Sequence, residues 1–89
     1  MQHKFDIGDI VSSKSARDDN RFFYRVVEKR VFNSLFGYLP IEELNSLPES
    51  FKFVPAYRLV RLDNKIYKSS VYRTESLIRN TERSYAGDF

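Results

Sequence analysis

Residues 57–78 read YRLVRLDNKIYKSSVYRTESLI, and the parsing of this stretch decides the fold. Apolar, aromatic and polar residues alternate on both sides of Asp63-Asn64, the pattern of two half-buried strands joined by a turn. TESL then reads as a single helical turn with Thr74 as its cap, and IRNTE as one last short strand. Two hairpin registers are open. A two-residue turn sets Leu62 opposite Lys65 and Leu59 opposite Lys68, whereas a three-residue loop sets Leu62 opposite Ile66. Both divide the cations between the two faces of the hairpin.

Upstream, KFDIGDIV (residues 4–11) alternates as a first strand, with Gly8 marking a bulge or tight bend. SSKSARDDN (12–20) is polar throughout and without period, as a solvated loop is. RFFYRVVEKRVF (21–32) is rich in β-branched and aromatic residues and reads as a long strand. Residues 33–55 break that rhythm. Within them GYLPIEELNSLPES holds a short helix, with Pro40 at its first position, Glu42 and Glu43 at the positive end of the dipole, and Pro48 as its stop. Ile41, Leu44 and Leu47 fall at helical spacing, and so short a helix needs them packed on something. The chain is expected to form one domain over residues 1–83, with 33–55 as a helical insertion and 84–89 as a flexible tail.

A first strand ending in GDIV, a YRV strand, the YRLVRL hairpin and VYRTESL before a short last strand together resemble the SH3-like small-barrel group. That group includes the Tudor, chromo-type and KOW-type domains, and the resemblance covers about residues 4–32 and 56–82. It implies a mainly β fold: a single, strongly bent five-stranded barrel, here with a short helical insertion between the second and third strands. It also implies loops and one open face that bind proteins or nucleic acids. The chain departs from the KOW pattern because no Gly follows Val11 at the expected distance. It departs from the Tudor pattern in lacking the Gly after Asp63, so the resemblance is to an architecture and carries no ligand.

Composition bounds the rest. Eighty-nine residues, with eight Phe and six Tyr, suffice for one small core closed by large apolar side chains. There is no Cys, as expected of a chain kept in a reducing cytosol. No apolar run approaches the ~20 residues that cross a bilayer, and MQHKFDIGDIV lacks the pattern of a secretory signal. The expectation is a cytoplasmic protein with no membrane partner. One His and no Cys do not make the usual zinc site, and the ten serines have no fixed base beside them. Three glycines do not make a phosphate-cradling loop. The reading is therefore a protein that is not an enzyme, with no catalytic residue, metal or cofactor.

Two binding readings follow. In the first, the chain is a small adaptor or inhibitor that docks on a protein partner, including one within a nucleic-acid-handling complex. Its contacts are Leu35, Phe36, Tyr38, Ile41 and Leu44 of the insertion. Apolar residues at a turn tip either fold back onto the core, the plainer expectation, or form the aromatic contacts that dominate interfaces. In the second reading the chain binds nucleic acid directly. Residues 50–83 hold eight Lys/Arg against three Asp/Glu, while residues 1–49 hold seven against eight. Lys52, Arg58, Arg61, Lys65, Lys68, Arg73 and Arg79 would meet phosphates and Tyr67 would stack on a base. The first reading is preferred, because the cations do not sort to one face.

Overall fold

In a computed structural model, which describes residues 1–19, 21–62 and 70–80, the protein is mainly β. Its strands are β1 (Ile10–Ser13), β2 (Tyr24–Asn33), β3 (Gly37–Pro40), β4 (Val54–Arg61), β5 (Ser70–Thr74) and β6 (Ile78–Asn80). A 3-10 helix spans Ile41–Ser46 and another Glu75–Leu77. All strands join one antiparallel sheet in the order β5-β4-β2-β1-β6, with β3 paired to β2. No ladder joins β5 to β6 among the described residues, so the sheet is an open path.

The first strand is shorter than the alternation of residues 4–11 predicts. Gly8 takes φ +99°, and the Asp9 amide donates to the Asp6 carbonyl (3.0 Å), which turns the chain just before β1. Phe5 ahead of that turn is still core, 2% exposed. His3 is not loose either: its Nε2 donates to the Arg30 carbonyl (2.7 Å) and its ring stands edge-on to Tyr57. The loop expected over 12–20 is also partly structure. Ser12 and Ser13 belong to β1, Ser13 is buried, and Asp18 sits almost fully covered against Arg73. Polarity misleads there because a paired carboxylate is desolvated without being wasted.

Within 33–55 the chain makes a strand before it makes a helix. Asn33 pairs with Gly37, and Phe32 with Tyr38, so β2 and β3 form a hairpin around residues 34–36. Gly37 supplies the positive φ (+76°) that ends this turn. The sheet thus has six strands among the described residues rather than five. Pro40 precedes the helix rather than opening it, and the helix is 3-10 with no buried residue. It touches β2 and β3. The turn at Glu75–Leu77 falls where TESL predicts it, but Thr74 Oγ1 makes no cap and instead meets Ser76 Oγ at 3.2 Å.

Both predicted hairpin registers are corrected for the described residues of β4 and β5. Leu59 pairs with Val71 and Tyr57 with Arg73, so Leu59 meets an apolar partner instead of Lys68. The turn itself, residues 63–69, lies outside the described residues, as do residues 81–89 with the expected tail. The cations do divide between faces: Arg58 lies beside Tyr72, and Arg73 beside Tyr57.

The core gathers at one end of the sheet. Phe5, Val11, Tyr24, Val26, Tyr57, Leu59 and Ile78 form it, with Phe22 and Val71 packed at its margin. Buried Tyr57 also clamps the N-terminal segment, accepting a hydrogen bond from the Phe5 amide (3.0 Å) and donating to Glu75 Oε1 (2.5 Å). Burial first, and the Glu75 carboxylate second, push the Tyr57 hydroxyl pKa far above its ordinary value.

Candidate docking surface

β1 reaches β2 only at Tyr24 and Arg25, so most of the ten-residue β2 extends past the core end, which we call the body. The extension carries β3, the 3-10 helix Ile41–Ser46 and the start of β4, and is called the wing. A bulge between Val26 and Glu28 marks where one gives way to the other.

Direct cross-strand partners share a face. On one face of the wing these are Glu28, Arg58 and Tyr72; Arg30, Ala56 and Thr74; and Tyr38, Phe32 and Val54. Tyr38 and Tyr72 are on strands separated by β2 and β4, yet their rings stack with centroids 5.3 Å apart. The sheet must coil strongly to bring them together, which makes this face concave. Ala56, the small residue between them, is fully buried. Phe32 packs on Tyr38 (4.7 Å), and the Arg30 guanidinium lies 5.3 Å from the Tyr72 ring centroid. Glu28 receives both Arg30 (3.0 Å) and Arg58 (2.9 Å), so one carboxylate serves two cations.

The far end of the wing is apolar and exposed. Leu35 is 77% exposed and Phe36 41%, so the turn tip does not fold back onto the core. Phe36 is instead braced by neighbours from the approach to β4, edge-on to Phe51 (5.0 Å) and stacked with Phe53 (6.2 Å). Asn33 fixes the turn: its Oδ1 accepts from the Leu35 amide and its Nδ2 donates to the Lys52 carbonyl, both at 2.7 Å. Ile41 and Val54 add further exposed apolar surface.

The five residues read as partner contacts thus split. Leu35 and Phe36 are at the tip, Ile41 opens the helix exposed, and Leu44 is half-buried. Tyr38 belongs to the concave face with Tyr72. Phe51, Phe53 and Val54 also belong to this surface, and the alternation of Phe51-Lys52-Phe53-Val54, which marks the approach to a strand, is their signal in the sequence.

The residues read as nucleic-acid contacts are dispersed. Arg73 makes a bidentate pair with Asp18, from Nη2 to Oδ1 (2.6 Å) and from Nε to Oδ2 (2.7 Å), with side chains 14% and 6% exposed. Burial pushes the Asp18 carboxyl up, but the hydrogen bonds from Arg73 and Ser13 outweigh it and hold its pKa below the ordinary value. Arg58 is held by Glu28, and the Arg61 guanidinium lies 4.0 Å from the Phe22 ring centroid. Lys52 and Arg79 are exposed on different parts of the chain. Lys65, Tyr67 and Lys68 lie outside the described residues.

No group of His, Cys, Asp or Glu side chains that could hold a metal occurs among the described residues. No helix among them is long and apolar enough to cross a membrane. No protein-family model, curated protein or solved structure matches the chain significantly.

Proposed function

We propose that the chain is a cytoplasmic, non-catalytic binding module of SH3-like architecture, an adaptor or inhibitor that docks on a protein partner through the end of the wing. What supports the architecture is the link between the two ends of the sheet path. Only Glu75–Leu77 separate β5 from β6, which draws the two edges toward each other as a bent barrel requires. The observation that carries the function is the exposure of Leu35 and Phe36 on a braced turn. Fully burying an exposed side chain such as Leu35 contributes about 1.5–3 kcal/mol, and part-covered Phe36 less; apolar surface held outside the core is what an interface core consists of.

A photo-crosslinking side chain at Leu35 tests this inside cells, with Ile7, an exposed apolar residue of the body, as control. Docking at the wing yields a discrete protein adduct from position 35 and none from position 7. No adduct from position 35, or the same adducts from both, contradicts it.

Direct nucleic-acid binding is the second reading. The Tyr38–Tyr72 stack beside Arg30 favours it, since bases stack on aromatic and guanidinium platforms. It ranks lower because Arg58 and Arg73 are held by carboxylates. Anisotropy titrations with random single-stranded oligonucleotides at two salt concentrations separate the readings. Micromolar binding that weakens steeply with salt would place nucleic acid first.

A further inference from the structure

The Asp18–Arg73 pair lies beside a cleft of about 550 Å³ between the end of β1, the following loop and β6. Ser12, Ser13, Lys14, Ser15, Asp18 and Arg79 line it. Both cations are exposed, and neither side chain has a hydrogen bond or ion pair within the described structure. Asp18 supplies the one carboxylate among the described lining residues, and Arg73 offsets its charge. Arg73 holds both of its oxygens, and Ser13 donates a further hydrogen bond to Oδ2 (2.5 Å). The pair is net neutral, which reduces the repulsion an anion would meet beside Lys14 and Arg79.

Hydroxyl donors complete the wall. Ser15 Oγ accepts from the Arg17 amide (3.2 Å) and keeps its own proton to donate. Ser12 sits directly opposite Arg79 across the β1–β6 ladder. Arg17, exposed on the same loop, adds a third positive charge nearby. We propose that this cleft binds a phosphate-type dianion, with Lys14 and Arg79 supplying the matching charge and Ser12 and Ser15 the neutral donors. The buried Asp18–Arg73 pair holds the loop that shapes the cleft, a role for Arg73 other than touching phosphate itself. This site is independent of the wing and does not rest on protein docking there.

The test is an amide-resolved NMR titration with inorganic phosphate at pH 7.5, with chloride adjusted to constant ionic strength. The expected result is a saturable shift at the amides of Lys14, Ser15 and Arg79, with a dissociation constant on the order of 1 mM for two exposed charge-assisted contacts. The exposed double substitution Lys14→Gln with Arg79→Gln should weaken binding at least tenfold, while Lys52→Gln leaves it unchanged. Shifts that never saturate, or that persist in the double variant, overturn the proposal. An oligothymidylate without terminal phosphates is the second arm. Tighter binding of that phosphodiester than of phosphate, lost in the same double variant, overturns the assignment to a dianion.

Discussion

Body and wing are built from the same two strands, yet their described residues are covered unequally. In the body half, Tyr24 and Val26 of β2 and Leu59 of β4 are buried with Val11, Ile78 and Phe5, and Tyr57, from just past the bulge, joins the same cluster. In the wing half, Val31 and Ala56 are buried, while Val54, at the start of β4, is 47% exposed and Leu35, just past β2, is 77% exposed. A sheet face becomes core only where a second element lies over it, and the short helix after β3 buries none of its own residues. The apolar residues at the wing tip therefore stabilise the fold little and remain available for contact.

The difference can be broken at the body first. Leu59→Ala removes a side chain with no exposed surface and should cost about 2–5 kcal/mol in urea unfolding, a large share of a small domain's stability. An effect under about 1 kcal/mol would mean that the body is not the core.

Asp18→Asn comes next. It leaves Arg73 largely buried without its carboxylate, for a loss of about 1.5–3 kcal/mol, that of hydrogen bonds to a charged group. The pH dependence carries a sign. Because the folded pKa of Asp18 lies below its unfolded value near 4, its stabilisation is present above about pH 4 and is lost as pH falls through the folded value. Wild-type protein should lose stability on acidification over that range more steeply than Asp18→Asn. Equal slopes would show that the pair does not contribute.

Tyr57→Phe should have a smaller effect, about 1–2 kcal/mol, because the ring stays packed while the Phe5 amide and Glu75 lose their shared hydroxyl. Faster hydrogen exchange at the Phe5 amide would report the loss locally.

What the sequence could show was whatever depends on neighbours in the chain. The strand within residues 21–32, which the structure starts at Tyr24, the bend at Gly8 and the helical turn at TESL were all legible for that reason. The hairpin register was not, since Leu59 meets Val71 only once the whole connection between β4 and β5 is known. Nor was β3, because Gly37-Tyr38-Leu39-Pro40 is too short for a period and runs into a helix signal. The Asp18–Arg73 pair joins residues 55 positions apart, and in sequence each looks like one more solvated charge. At the candidate site, residue type named Leu35 and Phe36. Their exposure depended on the Asn33–Gly37 ladder end and on the bracing by Phe51 and Phe53.

The most direct test of the contrast is urea unfolding of the double variant Leu35→Ser, Phe36→Ser beside wild type. A wing tip that is surface predicts a loss of no more than about 1 kcal/mol, in keeping with substitutions outside a core. A loss of more than about 2 kcal/mol, in the range expected for Leu59→Ala, would show that the tip holds the fold together and would contradict the assignment of the wing as a docking surface.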